Sequence, residues 1–201
     1  LFLFGTIIGT DSMDSKFSVT LYYPEDASFT SVDITNGSGN LNLQALEADR
    51  AVLTAEYGDI NILESSFGEL ELKAEDGDIR TAETHIKSLV LENEYGNTKI
   101  EKSTVNSADL LIEDGDMYLD AEGLESLSGT NEYGDTTFVL YSSLSNYGFD
   151  LSAEYGDIIL PREISEGILK SGDGDEMFYK TDGGFPVTFT SEDGDIALRT
   201  P

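Results

Sequence analysis

The sequence predicts an all-β protein, a single continuous domain built as a parallel β-solenoid (β-helix) of about nine coils of about 19 residues each. Three observations lead there. A glycine within Glu-Tyr-Gly-Asp or Glu-Asp-Gly-Asp, or its nearest equivalent, recurs at Gly39, Gly58, Gly77, Gly96, Gly115, Gly134, Gly156, Gly174 and Gly194. The first five intervals are all 19 residues, and the last three are 22, 18 and 20. Apolar residues hold fixed offsets from that glycine, with polar residues between them at a period of two, as in a strand with one buried face.

From the N-terminus, residues 1–34 read as capping strands. Phe17-Ser-Val-Thr-Leu-Tyr-Tyr and Phe29-Thr-Ser-Val-Asp-Ile alternate but lack the glycine turn. Residues 35–201 are the repeat. Seven before the glycine stand Leu70, Leu89, Ala108, Leu127, Phe149 and Val187, and five before it Leu72, Leu91, Leu110, Leu151, Leu169 and Phe189. Two after it stand Ile60, Ile79, Thr98, Met117, Thr136, Ile158 and Ile196, and four after it Ile62, Thr81, Ile100, Leu119, Phe138, Leu160, Phe178 and Leu198. A last column, Phe67, Ile86, Val105 and Leu124, reads as a corner residue turned inward. Each repeat is therefore strand, tight turn, strand, corner. A meander of hairpins has less reason to keep one strict length than a stack of coils does, so the columns favour the solenoid. Its open ends need caps against edge-to-edge pairing. The repeat loosens at Tyr141–Gly148 and again at Arg162–Phe185, and a thin helical signal lies within Glu163–Lys170.

Composition removes several functions. Among 201 residues there are 11 Lys and Arg, 40 Asp and Glu, one His and no Cys, for a net charge of −29. Disulfides and thiolate chemistry are absent, and His85 alone builds no multi-histidine metal site. A phosphate-binding groove for nucleic acid needs clustered cations, which this chain lacks. No apolar run reaches the roughly 20 residues of a membrane-spanning helix. The chain opens at Leu1 with Leu-Phe-Leu-Phe-Gly-Thr-Ile-Ile, so membrane attachment is expected only through an anchor preceding it.

The turn glycine suits positive φ, and the Asp or Asn after it (Asp59, Asp78, Asn97, Asp116, Asp135, Asp157, Asp175, Asp195) suits the same turn. Stacked coils would also align carboxylates, with Glu56, Glu75, Glu94, Glu113, Glu132 and Glu154 as one ladder and the Asp residues as another. Like charges about 4.8 Å apart repel by roughly 0.9 kcal/mol in water. A cation bridging them is one remedy, which makes Asp59, Asp78, Asp116 and Asp135 weak Ca²⁺ candidates beside the ordinary turn reading. No other cofactor is expected. The residue before the glycine is Tyr57, Asp76, Tyr95, Asp114, Tyr133, then Tyr155, Asp173 and Asp193. Tyr57, Tyr95, Tyr133 and Tyr155 are the candidate binding residues, since tyrosine offers apolar area and a hydroxyl. The ordinary reading is that they cover the turns and keep Asp from stacking on Asp.

No Gly-x-Ser-x-Gly elbow or Gly-x-x-x-x-Gly-Lys loop occurs. A glycan-cleaving β-helix enzyme needs a carboxylate pair, and the sites that break the repeat are Arg162, Glu163, Glu166, Asp173, Asp175 and Glu176. The carboxylates otherwise recur at equivalent positions, so the expectation is a protein without enzymatic activity.

The stretch Tyr22-Tyr-Pro-Glu-Asp-Ala-Ser-Phe-Thr-Ser-Val-Asp-Ile-Thr-Asn-Gly-Ser-Gly-Asn-Leu-Asn-Leu, followed by repeated Glu-Tyr-Gly-Asp-Ile, resembles a bacterial adhesin-labelled family of β-strand-repeat domains of unknown function, related to auto-transporter adhesin head domains. The resemblance runs from about Phe17 to Arg199. It implies a β-helical fold, a bacterial cell-envelope, extracellular or secreted location, often a preceding membrane anchor, and in some members a link to envelope stress. It brings no catalytic residues. The expected function is a non-enzymatic surface protein presenting an acidic β-helical face to a cationic peptide, a protein surface or an envelope component. Carbohydrate adhesion through the tyrosine edge is the alternative. A monomer or end-to-end dimer is expected.

Overall fold

The computed structural model describes residues 22–24, 26–162, 168–171 and 176–201. The chain winds in coils that each pair a long strand with a short one. The first three coils are β1 (Ser28–Asn36) with β2 (Leu41–Gln44), β3 (Glu47–Tyr57) with β4 (Ile60–Leu63), and β5 (Ser66–Asp76) with β6 (Ile79–Ala82). Next come β7 (His85–Tyr95) with the first part of β8 (Thr98–Asp114), the rest of β8 with β9 (Met117–Glu122), and β10 (Ser126–Tyr133) with β11 (Thr136–Leu140). These six coils stack in chain order, parallel and 19 residues apart, as in Leu53↔Leu72↔Leu91↔Leu110.

The apolar columns face inward. Leu70, Leu72, Ile79, Leu89 and Leu91 are buried, and each such side chain contributes about 1.5–3 kcal/mol of hydrophobic stabilisation. The corner column Phe67, Ile86, Val105 and Leu124 is buried too. Inward positions there are three apart (Phe67, then Leu70), so the long strand bends between them. Outward positions carry the charge, and His85 is exposed among them.

The corner between short and long strand is where the sequence puts it, but its hydroxyl ladder was not foreseen. Ala45, Glu64, Glu83 and Lys102 take positive φ of 50–54°. Just after them, the buried Ser65, Thr84 and Ser103 form a hydroxyl ladder. Each hydroxyl donates to the carbonyl two residues back, 2.8–3.0 Å away. Each also accepts a backbone N–H from the coil before: Leu46 N to Ser65 Oγ at 3.1 Å, Ser65 N to Thr84 Oγ1 at 3.4 Å, Thr84 N to Ser103 Oγ at 3.2 Å. The bend removes ladder partners from these amides, and the hydroxyls replace them.

After β11 the order changes. A short 3-10 turn (Leu144–Asn146) leads to β12 (Tyr147–Ala153) and β13 (Ile158–Ile159). Then follow β14 (Ile168–Ser171), β15 (Met177–Lys180), β16 (Phe185–Asp193) and β17 (Ile196–Arg199). β12 does not stack on β10. The last coil, β16 with β17, lies between them: β10 pairs β16, β16 pairs β12, β11 pairs β17 and β17 pairs β13, all parallel. The long strands thus make eight layers in the order β1, β3, β5, β7, β8, β10, β16, β12. Where about nine coils were expected, the described residues form eight, six in chain order and two exchanged. The 22-residue interval between Gly134 and Gly156 is three longer than the repeat, enough slack to step over one layer of about 4.8 Å.

Gly174, read from the sequence as a turn, lies outside the described residues, as do Glu163, Glu166, Asp173 and Asp175. β15 runs antiparallel to both β12 and β14 and covers the outer edge of β12. Phe178, expected inside, is therefore exposed, and Ile168–Ser171 is strand rather than helix. Of the expected 1–34 cap, residues 1–21 lie outside the described residues, while β1 is the first long strand of the stack.

The inserted coil is held by aromatic packing. Phe189 meets Phe138 edge-on at 5.0 Å, and Tyr147, Phe149, Tyr179 and Phe185 adjoin at 5.7–5.8 Å. The Phe189 ring fills the space beside Gly129, where a Cβ would lie 3.0 Å from it. The returning chain crosses β12 so closely that a Cβ on Gly183 would enter the Tyr147 carbonyl. Thr181 fastens the crossing, its hydroxyl accepting Phe149 N–H at 3.0 Å.

Two stability predictions follow from this packing. Gly96 has φ of 137°, and a Cβ there would strike the Gly77 carbonyl, whereas a Cβ on Gly37 meets only the end of Glu56. Gly96→Ala should cost about 3 kcal/mol or more, against about 0.5 kcal/mol or less for Gly37→Ala, in urea unfolding. Phe189→Ala should cost about 3–5 kcal/mol, because Gly129 has no side chain to close the cavity.

Candidate functional site: a laddered turn edge

All the candidate residues lie on the edge where long strands turn into short ones. The turn is built twice over. Its glycine takes positive φ at Gly39, Gly58, Gly77, Gly96, Gly115, Gly134 and Gly194, and from Gly58 onward a Cβ would strike the carbonyl of the glycine one layer away. The following Asp or Asn then ties each turn to the next. Its Oδ1 accepts the backbone N–H of its counterpart one layer on. The chain of bonds runs Asn40←Asp59, Asp59←Asp78, Asp78←Asn97, Asn97←Asp116, Asp116←Asp135, Asp135←Asp195 and Asp195←Asp157, all at 2.8–3.1 Å.

The Ca²⁺ candidates Asp59, Asp78, Asp116 and Asp135 are thus brought together as successive rungs, each with one carboxylate oxygen engaged by an amide. Carboxylates that accept N–H bonds offset part of their mutual repulsion. Arg80 adds to this, lying 3.7 Å from Asp59 and also pairing with Asp78. Among the described residues no three Asp, Glu or His side chains converge as a metal ligand set.

The tyrosines form the adjoining column. Tyr57, Tyr95, Tyr133 and Tyr155 are 50–58 % exposed, so all four present a face to solvent. In spatial order the column reads Tyr57, Asp76, Tyr95, Asp114, Tyr133, Asp193, Tyr155. The alternation that fails in the chain at Tyr133 and Tyr155 is restored in space, because the inserted coil places Asp193 between them. Beside it runs an unbroken glutamate column: Glu56, Glu75, Glu94, Glu113, Glu132, Glu192, Glu154.

Cations are sparse here. Lys73 hydrogen-bonds Glu92 at 2.6 Å and approaches Glu94 at 3.9 Å; the bond to Glu92, with the charges of Glu92, Glu94 and Glu75, holds its amine above the ordinary lysine value. Arg50 serves Glu69 and Glu71, and Lys180 serves Asp150, on other faces. A shallow groove of about 510 Å³ on the outer side of the short strands is lined by Asn42, Asn61, Arg80, Lys99 and Glu101 and includes none of the candidate residues. Of the positions raised for enzymatic chemistry, Arg162 and Glu176 are the described ones.

Such a site belongs to a solenoid whose turns stack into continuous polar columns and whose repeated carboxylates serve the backbone. The chain belongs to the Toastrack DUF4097 family, a domain of unknown function, whose model matches residues 3–199. The match brings a family and a fold, and no adhesin role. No curated protein and no solved structure matches the chain.

The Asp ladder yields a clean test. Asn40 and Asn97 already serve as rungs, so Asp116→Asn should keep stability within about 0.5 kcal/mol or raise it, by keeping the acceptor and removing charge. Asp116→Ala should lose about 1 kcal/mol or more by leaving Asp135 N–H without its acceptor, read as a fall in thermal midpoint.

Proposed function

We propose that this domain is a non-enzymatic binding module of the bacterial cell envelope whose acidic turn edge takes a cationic partner, a basic peptide or a basic protein surface. The observation that carries the reading is the paired Glu and Tyr/Asp columns, continuous through seven layers on one exposed edge. A row of like charges on a rigid low-dielectric scaffold raises the local concentration of cations and steers their approach. Stacked strands hold the row at fixed spacing, so little ordering cost remains for binding. The absence of catalysis is supported by the repetition of the carboxylates at equivalent positions instead of as a singular pair, the aspartates after the turn glycine being engaged by backbone amides. The envelope location rests on the family resemblance set out from the sequence.

Glycan binding by the exposed tyrosines is the competing reading of the same edge, and one titration separates them. A cationic peptide should bind measurably by calorimetry at low ionic strength and weaken by an order of magnitude or more at about 0.5 M salt, where screening acts within a few ångströms. Binding of a neutral glycan set that is indifferent to salt, with no peptide binding, would replace the cationic reading by the adhesin one.

A further inference from the structure

We infer that the Tyr/Asp column binds a cationic peptide in the polyproline-II conformation, an apolar ring stacked on each tyrosine and one basic side chain per turn reaching the aspartate between. This deepens the cationic-partner reading and rests on it. The spacings of the column and of such a helix are commensurate. Layers lie about 4.8 Å apart, so tyrosines on alternate layers recur every 9.6 Å or so, and the four span about 29 Å. A polyproline-II helix advances about 9.3 Å per three-residue turn and drifts from the tyrosines by only about 1 Å over that span. An extended strand repeats a face about every 6.8 Å. An α-helix repeats one about every 5.4 Å, or about 10.8 Å over two turns. Neither stays in step with the column.

The chemistry agrees with the spacing. Aromatic faces are the usual platform for proline rings, and the polyproline helix binds with little loss of chain entropy. Asp76, Asp114 and Asp193 alternate with the tyrosines, and no ion pair among the described residues involves them. The glutamate column alongside supplies long-range attraction. The strict alternation depends on the exchanged coil: without β16 between β10 and β12, Tyr133 and Tyr155 would adjoin and the period would break at its end.

The test compares labelled (Arg-Pro-Pro)4 with (Arg-Gly-Gly)4, peptides of equal charge, by fluorescence anisotropy on the folded domain at low salt. The first spans about 37 Å as a polyproline helix, enough to cover all four tyrosines. The expected result is a preference of about tenfold or more for the proline peptide. That preference should vanish in a Tyr95→Ala/Tyr133→Ala variant with an unchanged circular dichroism spectrum. The shape-preserving Asp76→Asn/Asp114→Asn variant should weaken the proline peptide at least threefold. Equal binding of the two peptides, or a preference that survives the tyrosine substitutions, would overturn the polyproline assignment and leave the cationic edge standing. Failure of both peptides to bind would overturn both readings.

Discussion

Parallel stacking in strict register is the constraint from which the other features follow. Once successive coils lie about 4.8 Å apart with equivalent residues aligned, every position becomes a column that must tolerate itself. Apolar columns do so readily. Glycine columns do so where the backbone turns too tightly for a side chain. Polar columns persist where each member satisfies a backbone group of its neighbour, as the Asx residues at one corner and the Ser and Thr hydroxyls at the other both do. The register therefore rests on the turn edge and the hydroxyl corner as much as on the core, because an offset of one residue would break every rung at once.

The same constraint calls for a cover at the C-terminal end of the stack, and the closure there is unusual. The chain steps over a layer, forms its outermost coil, turns back through the antiparallel β14–β15 pair and slides its last coil into the space left behind. The final strands are thereby paired on both sides, and the outer strand β12 is covered by β15. Side chains record the arrangement. Leu53, Leu72, Leu91 and Leu110 form one column, the next layer holds Gly129, and the layer after it Phe189, whose ring takes the room the glycine leaves. Small against large is how a close-packed interior accommodates a departure from its repeat.

Much of this was legible in the sequence. The strands, their inward residues and the turn edge follow from a 19-residue period and an alternation of two, both of which survive in a single chain read once. The layer order does not, because a period says which residues are equivalent and is silent on which coils touch. Its traces were nonetheless there: the 22-residue interval, the Gly129 that interrupts an apolar column, and two tyrosines in succession at Tyr133 and Tyr155 where alternation should give an aspartate. The hydroxyl corner escaped for a different reason. Ser65, Thr84 and Ser103 share the period, but small polar residues near a turn read as solvent-facing, and only the geometry shows them buried and bonded. The tyrosines share one edge, as their offset from the glycine implies, while their continuous alternation with Asp depends on the exchanged coil.

That exchange is the central claim, and cysteine pairing tests it directly because the chain has no native cysteine. The exposed positions Ser128, Thr188 and Asp150 lie in one column on consecutive layers. A disulfide needs Cα atoms within about 7 Å, which neighbouring layers satisfy and alternate layers, about 9.6 Å apart, do not. Under mild oxidation Ser128→Cys/Thr188→Cys and Thr188→Cys/Asp150→Cys should each close a bond in the monomer, and Ser128→Cys/Asp150→Cys should not. Ready closure of the last pair with failure of the first would mean that the coils stack in chain order, contradicting the account.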